Sequence, residues 1–380
     1  MNLRRRNVKG LAAASALGTL GFTAAGAEAQ SVVKPGPRAP TLVQIVDTSA
    51  PQVDISKDFV VGTRAAMQDL ALKGGLHGKP LLHQTLEVDG SAASLKAAIE
   101  SIKANPQAIA LLGTVGDHAA AEVSDLLRRQ LPDIAHVAPW LQNARLDTGD
   151  NTFAIFASRQ EQIAYAVKSL AVMGVQEMGA IYGTPAEVAN YRDDVEQTAK
   201  SLKLSCRNYG PVADLQQLGR SLTPDTPRIL VFMGGTPELI QFVQGIDKQA
   251  SLRYVISMSD VNLQTLQQMA MSRHAAVIAT QVVPLVTAQL PLVKNYRDTL
   301  ARLFDEPPTP QSLAGFTAAK FCIDVLGTVE GSLTRANTLQ AFQHRNSIDL
   351  GGFKADPDAK RRGAAFVTQS MISTDGRVVS

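Results

Sequence analysis

The sequence predicts an α/β protein made of two similar halves, each a parallel sheet flanked by helices. Short apolar runs alternate with longer stretches of helical periodicity, and that alternation implies parallel strands joined by right-handed crossovers. The chain of 380 residues is too long for one comfortable core, which points to two domains. Aromatic residues make up only 5%, while Ala, Leu, Val and Gly are plentiful, a composition that suits helices layered on parallel sheets.

The amino terminus has a separate character. Arg4-Arg5-Arg6-Asn7-Val8-Lys9 opens an uncharged, Ala/Gly-rich stretch from Gly10 to Ala27, and Ala27-Glu28-Ala29 sets small residues around a cleavage point before Gln30. A basic region, a mildly apolar region and an A-x-A end read as a cleavable export signal over residues 1–29, so the periplasm is the expected location. Arg4-Arg5 with Lys9 resembles the twin-arginine pattern, with Asn7 where that pattern usually has Phe. Gly18, Thr19, Gly21 and Thr23 make the segment too polar for a transmembrane anchor. The whole chain carries 37 basic and 34 acidic residues, a net of +3, and residues 1–29 alone account for +3. The chain beyond the signal is formally neutral, which argues against nucleic acid or anionic lipid as partner. No later apolar run is long enough to span a bilayer. Cys206 and Cys322 are the only cysteines. Neither adjoins the signal's end, so no lipid anchor is expected. They could bridge in an oxidising compartment, but their placement in different halves favours two buried thiols.

Residues 30–40, with Pro35, Pro37 and Pro40, read as a flexible leader. Thr41–Asp47 is then a strand, and Phe59, Thr63, Ala66, Met67 and Leu70 have helical spacing. Gly74-Gly75 stops that helix, since glycine tolerates the left-handed conformation beyond a helix end. Next come a strand with alternating character over 80–88, a helix over 91–104, a buried strand over 107–113, a helix over 117–130 and a short strand over 135–138. The pattern restarts with helices expected over 160–173, 185–202 and 237–249. The strands between and after them fall at 178–182, 204–209, 228–233, 254–258 and 276–283. The tail reads as helices over 291–304, 311–329 and 335–344 and strands over 365–372 and 376–379.

Three segments share one design of apolar strand, glycine and helix start: Leu112-Gly113-Thr114-Val115-Gly116-Asp117, Tyr182-Gly183-Thr184-Pro185 and Met233-Gly234-Gly235-Thr236-Pro237. Such turns lie at the carboxyl ends of parallel strands, where open α/β sheets bind ligands. Free N–H groups there can hold an anionic or carbonyl group. Thr184-Pro185-Ala186-Glu187 also has the form of a capping box, so Glu187 reads either as a cap or as a ligand contact. No G-x-S-x-G, H-E-x-x-H or C-x-x-C occurs, no nucleophile–base pair is apparent, and no enzymatic activity is expected. Gly75-Leu76-His77-Gly78-Lys79-Pro80 is no phosphate loop: the spacing is one short, Pro80 replaces the needed Ser or Thr, and it comes after a helix. The six histidines form no metal spacing, and no cofactor or metal is expected. His118 alone lies near a strand-end turn, as a solvated helix residue or a ligand contact.

Lys73-Gly74-Gly75-Leu76-His77-Gly78-Lys79-Pro80, behind a helix that begins Ile55-Ser56-Lys57-Asp58-Phe59, resembles the K-G-G loop segment of type I periplasmic solute-binding proteins of ABC transporters. Within that group the chain is similar to the Leu/Ile/Val-binding-protein-like family. Gly315-Phe316-Thr317-Ala318-Ala319-Lys320, Thr334-Arg335-Ala336-Asn337-Thr338-Leu339, Leu350-Gly351-Gly352 and Asp375-Gly376 fall where that family has a G-Y-x-A-A-x helix, T-R-x-x-L, a G-G turn and a final D-G. The resemblance implies two Rossmann-like lobes joined by three hinge crossovers, with the ligand bound in the cleft between them. Crossovers are then expected near Phe156–Ser158, Pro284–Val286 and Arg345–Ser347. Lobe one would hold 41–156 with 287–344, and lobe two 157–286 with 345–380.

The resemblance also suggests candidate binding residues. A Ser or Thr after the third strand meets the ligand carboxylate in amino-acid binders of the family. Asp117 stands at that place beside Gly116 and would repel a carboxylate. Pro139-Trp140-Leu141-Gln142-Asn143 matches a second contact loop, with Trp140 as an apolar wall, a cation–π face or a core residue. Glu187, Thr236 and Ser259 fall near the contacts of lobe two, and Thr48 and His118 complete the set. The function so implied is that of a periplasmic receptor for a small organic solute (an amino acid, amide or related compound), monomeric and not membrane-embedded. Its expected partner is an inner-membrane ABC permease. A solute sensor or carrier for a different or apolar ligand on the same fold is the alternative.

Overall fold

A computed structural model describes residues 39–380 apart from 141–142, 146–147, 249, 271–273, 345–346, 358–364, 373–377 and 380. The expected export signal lies outside the described residues. The first half runs β1 (Thr41–Asp47), α1 (Val53–Leu72), β2 (Leu82–Val88), α2 (Ala92–Ala104), β3 (Ala108–Leu112), α3 (Asp117–Gln130), β4 (Ala135–Val137) and β5 (Thr152–Phe153). The second runs α4 (Arg159–Val172), β6 (Glu177–Tyr182), α5 (Pro185–Ser201), β7 (Ser205–Tyr209), α6 (Leu215–Ser221), β8 (Ile229–Met233), α7 (Thr236–Ile246), β9 (Arg253–Ser257), α8 (Leu263–Ala270) and β10 (Ala275–Gln281). The tail adds α9 (Pro291–Leu303), α10 (Pro310–Leu326), α11 (Arg335–Gln343), β11 (Ile348–Asp349), β12 (Lys354–Ala355), β13 (Thr368–Ile372) and β14 (Val378–Val379).

Both halves are wound alike. The first sheet has the order β2-β1-β3-β4-β5, all parallel. The second has β7-β6-β8-β9-β10, parallel, and is extended by β13 and β14, which are antiparallel. Counted within each half, both have the doubly wound order 2-1-3-4-5. Composition fixes which strands are central. Thr41–Asp47 and Ala108–Leu112 are buried at every residue, as a parallel strand covered on both faces must be. The alternating strands β2 and β7 keep partly exposed positions and take the edges.

Each lobe has apolar clusters of its own. α1, α9, α10 and α11 contribute to one cluster with β1, β3 and β4. Lobe two is built around β6, β8, β9 and β10 with α4, α5 and α7. The C-terminal helices therefore return to lobe one. α10 lies against α1 at backbone contact: a Cβ at Gly62 would overlap the Ser312 backbone, and one at Gly315 would overlap Phe59. Arg335 pins α11 by donating to the Ile102, Asn105 and Ala108 carbonyls at 2.7, 2.8 and 2.8 Å, groups at the end of α2 and the start of β3. Cys206 on β7 and Cys322 within α10 are both free thiols, but only Cys322 is buried as expected; Cys206, on an edge strand, is half-buried.

The chain leaves the first core between Ala157 and Ile163 and rejoins it at Val282. It leaves again only before β13, because Leu350, Phe353, Ala355 and Val367 all pack in the first core. That passage comes later than the expected Arg345–Ser347. The β11–β12 hairpin, short and without an alternating pattern, is the element the sequence did not announce. β5, α6 and α8 were not expected either; each is a short piece between longer periodic segments. No helix among the described residues is long and apolar enough to cross a membrane.

Candidate functional site

In a doubly wound sheet the crevice lies outside the carboxyl ends of the strands, where the winding reverses. In lobe one that point falls between β1 and β3, whose chains leave through residues 48–52 and 113–116. In lobe two it falls between β6 and β8, which lead into residues 183–184 and 234–235. The two points face each other. Tyr191 on α5 donates its hydroxyl hydrogen bond to Asp117 Oδ2 at the start of α3. Gly235 faces the Pro51 carbonyl. Further along, Gln311 Nε2 of α10 donates to the Ser259 and Val261 carbonyls at 3.2 and 3.3 Å.

A charged cluster occupies this cleft. Arg159, 1% exposed, donates from Nη1 and Nη2 to Asp260 Oδ1 and Oδ2 at 2.9 and 2.7 Å. Its guanidinium lies 5.4 Å from the centroid of the Tyr191 ring. Burial works against its charge, but Asp260, Glu187 and Asp117 hold it firmly protonated. Glu187 goes the other way. Burial raises its pKa to about 7 against the opposing pull of Arg159, and the carboxylates of Asp260, Asp117 and Glu238 add to the rise. Burial, then the Asp117 charge, pushes the Tyr191 hydroxyl far above its ordinary range. It is therefore a hydrogen-bond donor at any working pH.

Local helix physics accounts for part of this. Asp117, Glu187 and Glu238 each lie in the first turn of a helix, where a carboxylate complements the positive end of the dipole. Two of them do more than serve a helix end. Thr184 Oγ1 accepts from the Glu187 amide at 3.2 Å, but the carboxylate does not complete the capping box. Glu187 Oε2 and Glu238 Oε2 are sealed from solvent and meet no donor. Arg159 reverses the rule altogether, a cation at a helix start. That misfit is the signal by which the sequence could have disclosed it.

The candidate residues divide accordingly. Asp117 and Glu187 join the cluster, and Gly116, with φ of +94°, makes the turn before Asp117 and packs closely on the Gln52 side chain. Ser259, 0% exposed, adjoins Asp260; its Oγ has no partner, and its amide hydrogen bonds to Gln162 Oε1 at 2.9 Å. Thr236 Oγ1 accepts from the Asn262 amide at 2.9 Å. Thr48 does not take part: its hydroxyl is spent on the Val88 carbonyl at 2.9 Å. His118 points to solvent. Trp140 is a core residue, 2% exposed, with its ring 5.8 Å from Phe59 and 5.5 Å from Phe156. Its indole Nε1 has no acceptor. Leu141 and Gln142 lie outside the described residues. Arg159, Tyr191, Glu238 and Asp260 are the members that sequence reasoning missed.

On the flank of the cleft a cavity of about 290 Å³ opens between α1, α8 and α10, lined by Asp58, Asn262, Gln264, Gln268, Glu306 and Thr309 among others. Asn262 Nδ2 donates to Asp58 Oδ2 across it at 3.2 Å. None of the residues around Arg159 lines it. No cluster of His, Cys, Asp and Glu among the described residues has the arrangement of a metal site.

Residues 41–374 match the family described as periplasmic binding protein. No curated protein matches the sequence. An extracellular ligand-binding receptor from Verminephrobacter eiseniae superposes with a TM-score of 0.80 at 18% identity, over 90% of this chain and 100% of its own. A branched-chain amino acid ABC transporter protein from Thermus thermophilus with bound valine gives 0.75 at 12% identity, over 90% and 95%. A solute-binding ABC transporter protein from R. palustris in complex with benzoate gives 0.73 at 10% identity, over 90% and 95%. At these identities the likeness is one of fold.

Proposed function

The chain belongs to the periplasmic binding protein family, and from that premise we propose that it captures a small organic solute in the interlobe cleft and presents it to an ABC-type importer of the inner membrane. Family and fold neighbours are solute-binding proteins, and the chain is one of them rather than an enzyme. After capture, the permease would recognise the closed form. A hinge-bending protein needs only a few residues to absorb such a motion.

One observation carries the reading. The switch points of two identically wound sheets meet, and polar atoms sealed between them have no partner, Glu187 Oε2, Glu238 Oε2 and Ser259 Oγ among them. Buried polar groups are nearly always satisfied, so these are atoms that await a ligand. The bound molecules named for the neighbours, valine and benzoate, both carry a carboxylate. Bound solutes of that size in fold neighbours support a small organic solute for this cleft.

The test is a thermal-shift screen of amino acids, amides, aromatic acids and amines, beside native mass spectrometry of protein purified without unfolding. A ligand at a hundredfold excess over its dissociation constant should stabilise the fold by about 2.7 kcal/mol. A protein that no small solute stabilises, and that carries no resident solute, would refute the proposal.

A further inference from the structure

Resting on the cleft reading just given, we infer that the solute is a net cation, an ammonium, amidinium or guanidinium group that also carries an oxygen, seated between Glu187, Glu238 and Arg159. The charges around the cleft are unequal. Asp117, Glu187, Glu238 and Asp260 supply carboxylates, and Arg159 supplies the cation that acts on Glu187. Both terminal nitrogens of Arg159 are spent on Asp260. The Tyr191 hydroxyl serves Asp117. Neither arrangement reaches the sealed Oε2 atoms of Glu187 and Glu238, which hold lone pairs with no donor.

An orphaned carboxylate oxygen in a closed cleft calls for an N–H or O–H group, best a charged one, since charge-assisted hydrogen bonds are the strong ones. A carboxylate on the ligand would instead add like charge at short range where water is excluded. The need for an oxygen comes from Arg159 itself. Its side chain is 2% exposed, and its Nε–H has no acceptor. One hydroxyl or carbonyl oxygen beside the ligand nitrogen would satisfy it. The Asp260 carboxylate already holds the Arg159 guanidinium in this cleft, so the cleft binds one cation of its own in the manner proposed for the second.

The test uses matched probes that share a hydrocarbon end and differ in charge: leucinol, leucine and 4-methylpentanoate; phenylalaninol, phenylalanine and 3-phenylpropanoate; ethanolamine, glycine and acetate. Isothermal titration at pH 7 should give the amino alcohol as the tightest binder in the series that fits, by about tenfold or more, the factor of one pKa unit. Binding should release a proton, read as heat that depends on the buffer, because the cation holds Glu187 ionised against Asp117, Asp260 and Glu238. Glu187→Gln should weaken the amino alcohol by about tenfold and abolish the proton release, without lowering the melting temperature. Glu238→Gln should weaken it while keeping the release. A zwitterion or anion that binds tightest, or a Glu187→Gln variant with undiminished affinity for the amino alcohol, overturns the cation and leaves the cleft reading standing. No binding in any series, with an empty cleft in natively purified protein, removes both.

Discussion

Lobe one meets the cleft with a glycine turn and one carboxylate, backed by the aromatic core around Trp140, whereas lobe two meets it with Arg159, Glu187, Glu238, Asp260 and Tyr191. The two sheets share one winding order, so topology does not produce this difference. It arises in the loops and helices that follow the strands, Arg159, Glu187 and Glu238 in first turns, Tyr191 further along α5 and Asp260 in the loop before α8, all of which can change without disturbing the strands. One lobe then supplies a wall and the other the charge. The division has a consequence for stability, because buried charge must be matched where it sits, and most of the matching here is internal to lobe two.

The largest expected effect lies in that matching. In Arg159→Met the Asp260 carboxylate stays largely buried with its bidentate partner gone, and removing one member of a buried pair costs about 3–5 kcal/mol. Chemical denaturation should show this loss, and the double variant Arg159→Met with Asp260→Leu should recover most of it. If the single variant loses less than about 1 kcal/mol, the pair is no structural anchor and the contrast between lobes weakens.

The lobes should also answer acid with opposite signs. His136, on β4 in lobe one, is 0% exposed, with its ring nitrogens 3.2 Å from Ser124 Oγ and 2.9 Å from Thr114 Oγ1. Burial lowers its pKa from 6.5 to about 3. The folded form stays neutral while the unfolded chain takes a proton below pH 6.5, so its contribution is intact above that pH and declines as pH falls towards 3. By pH 5 the loss amounts to about 2 kcal/mol. Glu187 in lobe two has its pKa raised from 4.5 to about 7. Its charged form costs stability above pH 7, and the cost is relieved as pH falls towards 4.5. In ligand-free protein, denaturation midpoints between pH 7 and 5 should therefore fall more steeply for Glu187→Gln than for the parent, and less steeply for His136→Gln. Equal slopes in all three would show that neither group titrates as its surroundings imply.

Much of lobe one was legible in the sequence, and the reason is physical. Its central strands are mostly apolar, Ala108–Leu112 continuously and Thr41–Asp47 around a single internal Gln44, and its helices carry clear apolar faces bounded by Ser91 and Gly116. The cleft was legible only in outline. Strand, glycine and helix start marked where a ligand approaches, and Asp117 and Glu187 were read from those turns. Arg159 showed only as a cation out of place at a helix start, and Tyr191 and Asp260 gave no sign, because their meaning lies in contacts between residues as far apart as Arg159 and Asp260. Thr48 misled for the converse reason: a hydroxyl at the end of a central strand suits a ligand, but the Val88 carbonyl takes it first.

Tyr191→Phe probes the contact between lobes directly. It removes the hydrogen bond to Asp117 but keeps the ring beneath Arg159. A hydrogen bond to a charged group contributes about 1.5–3 kcal/mol, enough to move the open–closed balance by an order of magnitude. Small-angle X-ray scattering of ligand-free protein should give a larger radius of gyration for the variant than for the parent, and saturating ligand should restore the smaller value. An unchanged radius would mean that this contact does not hold the lobes together.

The smallest effect concerns the caps, where α4 and α5 make an internal control. Both helices of lobe two begin with a hydroxyl cap and a glutamate three residues on. At α4 the box is complete: Ser158 Oγ accepts from the Glu161 amide at 3.2 Å, and Glu161 Oε2 accepts from the Ser158 amide at 2.7 Å. At α5 only the Thr184 half is made, and the Glu187 carboxylate faces the cleft instead. Ser158→Ala and Thr184→Ala should each cost about 1 kcal/mol. The glutamates should differ in sign. Glu161→Ala should lose a few tenths to about 1 kcal/mol with its backbone partner. Glu187→Ala should lose nothing above pH 7 in ligand-free protein, since it removes a buried charge whose Oε2 meets no donor. A loss at Glu187 equal to that at Glu161 would mean that the carboxylate serves the helix end, and the site would have to be built without it.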